Sequence, residues 1–196
     1  EDQSVVISLS GSDIDGDVLT LSLASDATNG SVIINGSFAT YTPSQDFNGD
    51  DSFTFSASDG EYSSSADVSL SILPVNDAPV LSTILDIIFF EGQTESINLT
   101  ASDVDGDDLT YSIAGGNNIT AILDDNMITF IGNANFNGNE SFTITVTDGN
   151  LSDEQAIIVT VDAVNDAPVA ATGLSGTTSE DQSVVISLSG SDIDGD

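Results

Sequence analysis

Asp13-Ile14-Asp15-Gly16-Asp17 places three carboxylates at alternate positions around a glycine, and Asp103-Val104-Asp105-Gly106-Asp107 repeats the arrangement 90 residues later. Alternate aspartates in a glycine-containing loop can aim several oxygens at one point. That suits a hard divalent cation: calcium takes six to eight oxygens at ~2.3–2.6 Å. Without a cation the carboxylates repel, at about 1–3 kcal/mol per pair for ~5 Å and an effective dielectric of 20–80. No side chain can offset this, since 33 Asp and Glu face no Lys, Arg or His, for a formal charge of −33. Taken alone, the motif also fits a solvated turn. Its recurrence with other acids, one set per unit, favours a cation. Glu1, Glu91 and Glu180 each precede a strand pattern, Asp51 and Glu140 follow Phe-Asn-Gly, and Asp59 and Asp148 sit in Asp-Gly turns. Asn76-Asp77 and Asn165-Asp166 stand before Ala-Pro. Of the 33 acids 26 are Asp, which is short and turn-favouring, whereas a solvated acidic face would use Glu more freely.

The same composition excludes other chemistry. Counterion release from nucleic acid and docking to an anionic membrane surface both need basic residues. Ser-His-Asp, Cys-His and Lys Schiff-base catalysis lack their residues, and with no Cys there is no disulfide or thiolate metal site. Paired carboxylates could serve a glycosidase. Here, however, they fall at repeat-equivalent turns, and Trp is 0 and Tyr only 3, which leaves few platforms for sugar stacking. No enzymatic activity is expected. Six Asn-x-Ser/Thr sequons (Asn29, Asn35, Asn98, Asn118, Asn139 and Asn150) read as the composition of a polar β-protein. Hydrophobic residues make up 39% and mean hydropathy is +0.11, enough for a core, and no apolar run reaches the length of a membrane span.

The elements that must position these acids follow a repeat of 89–90 residues. Residues 1–17 recur unchanged as 180–196, Val75-Asn76-Asp77-Ala78-Pro79-Val80 recurs at 164–169, and Phe47-Asn48-Gly49 recurs at 136–138. Within a unit the apolar period is two, as in Phe142, Ile144 and Val146 against Thr143, Thr145 and Thr147. The pattern predicts strands near 81–89, 94–100, 108–114, 119–123, 127–131, 141–147 and 155–164, with no amphipathic helix. Seven short antiparallel strands in ~90 residues predict an all-β fold, a two-sheet sandwich in each repeat. A domain of this size buries only ~60–65% of its unfolded surface, so bound metal and neighbouring units are its candidate supports.

The series Glu-x-Gln, [Ala/Gly]-Ser-Asp-x-Asp-Gly-Asp, Leu-Thr-x-Ser, Phe-Asn-Gly-x-[Asp/Glu]-Ser-Phe and Val-Asn-Asp-Ala-Pro-Val resembles the cadherin-like tandem repeats of large bacterial surface adhesins and secreted proteins, over the whole chain. The resemblance implies tandem Ig-like, cadherin-like seven-stranded antiparallel sandwiches arranged end to end, with calcium at the junctions between repeats. It likens Glu1 and Glu91 to the glutamate at the base of a domain. Asp51 and Glu140 fall near the acidic pair that precedes the sixth strand, and Asp162 matches the leading aspartate of the linker formed with Asn165 and Asp166. Asn76 and Asp77 resemble the preceding linker. Asp103 with Asp105, or Asp192 with Asp194, resemble the paired aspartates of the following domain, and Asp148 its sixth-strand aspartate, with Asp59 serving the preceding junction. Asp13, Asp15, Asp17 and Asp107 complete the candidate metal ligands. Asp103, Asp105 and Asp148 are expected to converge with Asn76, Asp77, Glu1 and Asp51.

The implied role is a calcium-stiffened spacer or filament repeat of a secreted or cell-surface protein. Its partners would be neighbouring repeats or copies of itself, with any cell-surface or glycan ligand met through other parts of the parent. The alternative is a carbohydrate- or protein-binding module. Expected boundaries are 1–77 for a repeat lacking its first strand, 78–166 for a complete repeat, and 167–196 for the start of a third. The chain then reads as a window on a longer periodic polymer, or as one whose ends complete one another between copies.

Overall fold

The computed structural model describes residues 1–194, so Gly195 and Asp196, the end of the third Asp-rich motif, lie outside the described residues. All regular structure among the described residues is β. The chain divides into two compact units, Glu1–Asn76 and Asp77–Asp196.

Unit 1 contains β1 (Val5–Ser8), β2 (Thr20–Ser25), β3 (Gly30–Asn35), β4 (Phe38–Pro43), β5 (Gly49–Ser58) and β6 (Ser63–Ile72). They form two three-stranded sheets, β1-β4-β3 and β2-β5-β6. Period-two alternation sends Phe53 and Phe55 of β5 and Ala39 and Tyr41 of β4 inward, where they pack with Leu9 and Val32.

Unit 2 begins with β7 (Val80–Leu81), β8 (Ile87–Phe90), β9 (Thr94–Asn98) and β10 (Ala101–Ser102). β11 (Thr110–Gly115), β12 (Ile119–Asp124), β13 (Met127–Gly132), β14 (Gly138–Thr147) and β15 (Ser152–Asp162) follow. One sheet has the order β11-β14-β15-β8; the other is built from β12-β13-β9, with β10 paired to β7. The expected first strand, 81–89, is therefore two pieces that serve different sheets. Its second piece also departs from the antiparallel expectation, because β8 runs parallel to β15, with Val159 opposite Ile87 and Val161 opposite Phe89. Side chains of the last strand hold the break between the pieces. Gln155 accepts from Ile84 N–H at 3.0 Å and donates to its carbonyl at 2.5 Å, and Asp153 accepts from Leu81 N–H at 2.9 Å.

The core of unit 2 is larger than that of unit 1. Ile128, Phe130, Phe142, Ile144, Val146 and Val159 are fully enclosed. The Phe130 and Phe142 rings meet edge to face, with centroids 5.2 Å apart and planes at 74°, a geometry worth about 0.5–1.5 kcal/mol beyond area burial. Ile157, Val159 and Val161 of β15, which lies beside β8 in one sheet, share a cluster with Leu81, Ile87 and Phe89 of the first strand. One repeat earlier, Val68, Leu70 and Ile72 of β6 are only half-buried. Beyond β15, the strands among the described residues are β16 (Val169–Ala170) and β17 (Gly190–Ser191), which pair with each other.

Candidate metal centre

In unit 2 the Asp103–Asp107 loop joins β10 to β11. Asp103 Oδ1 accepts three main-chain N–H groups, from Asp105 at 2.9 Å, Gly106 at 3.1 Å and Asp107 at 3.4 Å. Gly106 has φ +79°, which a side chain would strain. The fold so imposed brings one oxygen from each of Asp103, Asp105 and Asp107 within 4.8 Å of one another. Asp103 Oδ2 is buried and has no hydrogen-bond partner. Asp77 N–H donates to Asp105 Oδ2 at 2.8 Å, tying the linker to the loop. Asp107 is pushed above the usual carboxylate range, first by desolvation and then by the charges of Asp103, Asp105, Asp148 and Asp108. Asp148 thus stands beside the triplet, its Oδ1 held by Asn150 N–H at 2.6 Å and Leu151 N–H at 2.7 Å.

A second triplet, Glu91, Asp166 and Asp194, also lies within 4.8 Å. Glu91 follows β8, donates its N–H to the Asp162 carbonyl at 2.9 Å, and accepts Val164 N–H on Oε1 at 2.5 Å. Asp166 N–H donates to Asp194 Oδ2 at 2.6 Å, and Asp194 N–H to Asp192 Oδ1 at 2.9 Å. Asn165 uses its amide on the Asp166 carbonyl at 2.9 Å. Linker, glutamate and Asp-rich loop thus meet here.

Unit 1 carries the matching local pieces. Asp13 Oδ1 accepts the N–H groups of Asp15, Gly16 and Asp17 at 2.8, 3.0 and 3.2 Å. Among the described residues, however, Asp13, Asp15 and Asp17 are not drawn into a triplet like that of Asp103. Glu1 is 8% exposed; its Oε1 accepts Val75 N–H at 2.9 Å, while its Oε2 is buried without a partner. Asp59 is held below the usual range by N–H groups of Tyr62 and Glu61. Asn76 closes unit 1, as Asp77 opens unit 2.

Asp51 and Glu140 have another occupation. Burial works to raise Glu140, but N–H groups of Asn117, Asn118 and Ile119 and the Asn118 amide outweigh it and hold it low. Asp51 is likewise held low, against burial, by N–H groups of Asn29, Ser52 and Thr28 and by the Tyr41 hydroxyl at 3.0 Å. Both carboxylates staple the turn before the strand that follows it. Sequence reading did not single out Asp153, Gln155 or Asp86, whose side chains brace the split first strand; nothing in their spacing signals that role.

Comparison with known structures places the architecture. An endo-fucoidan hydrolase of glycoside hydrolase family 107 matches at 26% identity and TM-score 0.37, covering 84% of this chain but 26% of its own. The chain therefore spans about a quarter of that enzyme's length. Human protocadherin-24 repeats EC1-2 match at 16% identity and TM-score 0.52, covering 82% of this chain and 88% of theirs. Drosophila N-cadherin EC1-3 matches at 15% identity and TM-score 0.40, covering 78% and 57%. A comparison with curated protein sequences found no match. The family model described as bacterial Ig domain matches residues 1–71 and again 76–160. With two sandwiches, each matched along most of its length, the chain belongs to the bacterial Ig domain family.

Proposed function

We propose that this chain is a calcium-stiffened structural repeat of a secreted or cell-surface protein, serving as a spacer or filament unit in adhesion or fibre assembly. The observation that carries the reading is Asp103 Oδ2, a buried carboxylate oxygen with no hydrogen-bond partner beside the oxygens of Asp105 and Asp107. A buried anionic oxygen needs a partner, and a chain without Lys, Arg or His has no side chain to supply one. The donors are all hard oxygens, which suits calcium. Asp103, Asp105 and Asp107 would hold one ion with Asp148 nearby. Glu91, Asp166 and Asp194 would hold another, and Glu1, Asp77 and Asp105 are the same residue types one repeat earlier. Asp51 and Glu140 are read here as turn staples rather than ligands. Membership of a bacterial Ig family and the cadherin-like fold support an extracellular module.

Calorimetric titration with calcium, paired with small-angle scattering, tests the proposal. A ligand that binds only the folded state adds about 2.7 kcal/mol at a hundred times Kd, so Tm should fall in excess EDTA. Asp103→Asn should remove one binding event while leaving the Glu91 site titratable. Tm and scattering that are both unchanged by EDTA would refute the reading.

A further inference from the structure

In unit 2 the first and last strands run side by side in the same direction, since β8 pairs in parallel with β15 over Ile87–Phe90. Parallel pairing puts the start of β8 and the finish of β15 at opposite ends of their ladder. Tension carried by the chain on either side of unit 2 therefore pulls β8 toward its start and β15 toward its finish. The strands are sheared along their length, and the rungs between them are loaded together. Had the two strands been antiparallel, the pull would open the ladder from one end, rung by rung.

Side chains carry this ladder across the break in the first strand. Asp153 accepts Leu81 N–H at 2.9 Å, Gln155 binds both main-chain groups of Ile84, and Asp86 accepts Ile158 N–H at 2.8 Å. In chain order, Leu81, Ile84, Asp86 and Ile87 thus meet Asp153, Gln155, Ile158 and Val159. Both series rise together, so the side-chain bonds keep the parallel direction and lengthen the ladder from Ile87 back to Leu81. Leu81 is also paired with Ala101 of β10, in the other sheet. Ile87, Phe89, Val159 and Val161 are buried along the inner side of the ladder, where a low dielectric strengthens its hydrogen bonds.

We infer that unit 2 bears load along the chain, with the shearing of β8 against β15 as the step that resists extension. Asp86, Asp153 and Gln155 are positioning residues in this function: they lock the first strand where the main-chain ladder is interrupted. The inference goes beyond the spacer reading and uses no metal-ligand side chain, so the two can fail separately.

Forced unfolding is governed by the unfolding rate, so single-molecule pulling on the full chain reads the ladder directly. The native chain has no Cys, and handles attach only where cysteines are placed. Ala78→Cys with Ala167→Cys loads unit 2 in shear. Gln93→Cys with Ala163→Cys grips both strands at one end of the ladder and peels it. The shear geometry should hold at forces where the peel geometry has already opened. Gln155→Ala deletes both bonds to Ile84 and should speed unfolding in shear about tenfold at constant force. It should leave peeling unchanged, because there these rungs open last. Asp86→Asn, which keeps the shape and weakens the acceptor, should give a smaller shift with the same directional preference. Leu85→Ala, at a position of the same break that is 79% exposed, should change neither geometry. All arms run in calcium and again in EDTA. Resistance in both media supports the inference whether or not the metal reading stands; resistance in calcium alone would assign the load to the metal and overturn it. Equal strength in the two geometries would also overturn it. So would an equal loss from Gln155→Ala in both, since a bond that serves folding alone has no direction.

Discussion

Residues 1–17 and 180–196 have one sequence and two structures. In unit 1, Val5–Ser8 form β1 and pair with Phe38–Tyr41 of β4. The same four residues at 184–187 form no strand. Leu9 is 5% exposed and Leu188 84%. Yet the short-range features agree. Asp2 and Asp181 both have φ 57°, and the Asp13 and Asp192 carboxylates both accept the N–H two residues on, at 2.8 and 2.9 Å. Bonds that close within a few residues need only the local sequence. A strand needs a neighbour to receive its main-chain groups and a core to receive its side chains, and among the described residues the first copy has β4 for this and the second has no such neighbour.

A paired substitution sharpens this contrast and carries the largest expected effect. Leu9→Ala should destabilise unit 1 by about 2–5 kcal/mol, the range for truncating an enclosed leucine. Leu188→Ala, in an identical stretch, should stay within about 0.5 kcal/mol, as exposed substitutions do. Calorimetry on the full chain reads both. Equal effects would mean that 180–194 has a core of its own, which would break the comparison. Amide exchange gives an independent check, with Val5–Ser8 protected and 184–187 exchanging quickly.

The contrast between Val159 and Leu70 is of the same kind one strand over. Val159→Ala in fully enclosed β15 should cost about 2 kcal/mol, from two methyl-sized groups at ~0.8 each plus a cavity. Leu70→Ala removes more atoms but starts half-buried and should cost about 1 kcal/mol. If the two costs are equal, the difference in burial between Val159 and Leu70 is not what sets them.

Much of the fold was legible because burial alternates along each strand. The predicted 119–123, 127–131 and 141–147 lie within β12, β13 and β14. The first strand was not read correctly, since Leu81 through Phe89 carries enough apolar residues to look continuous. What divides it is Gln155 binding both main-chain groups of Ile84 from 71 residues away, a contact with no local signal. The candidate site shows the same division. Spacing alone indicates the Asp103 loop, since the hydrogen bonds that the Asp103 carboxylate accepts span at most four residues. It does not reveal that Glu140 turns to Asn117, Asn118 and Ile119, because a carboxylate's type does not say whether its partner is an N–H or a cation.

The staples can be tested through pH. Glu140 is held below its usual range, so its contribution is full above the unfolded value and is lost as pH falls through the lower folded one. Glu140→Gln should therefore cost unit 2 about 1 kcal/mol at neutral pH, and the gap to the native chain should close as the medium is acidified. A gap that persists at low pH would mean that the carboxylate's charge is not what holds the turn. Asp51→Asn should show the same sign in unit 1.

Tyr41 separates the two turns further. At the equivalent position unit 2 has Phe130 and the longer Glu140, whose oxygens reach three N–H groups. Unit 1 has the shorter Asp51, and the Tyr41 hydroxyl completes its set at 3.0 Å. The ring occupies the space beside Gly30, where an added Cβ would come within 2.5 Å of it and 2.6 Å of the Thr42 carbonyl. Tyr41→Phe keeps the ring and removes one hydrogen bond, so it should cost unit 1 about 1 kcal/mol at neutral pH. Desolvation, the bond to Asp51 and the Asp51 charge push Tyr41 up to about 12. For a group raised in this way, the stability it contributes is present below the unfolded value and is lost as pH rises through the folded one. The native chain should therefore lose unit 1 stability toward pH 12, and Tyr41→Phe should not share that loss. A tyrosinate absorbance titration in which all three tyrosines ionise together at the ordinary value would show that Tyr41 is not bound to Asp51, and unit 1 would then staple its turn as unit 2 does, by the carboxylate alone.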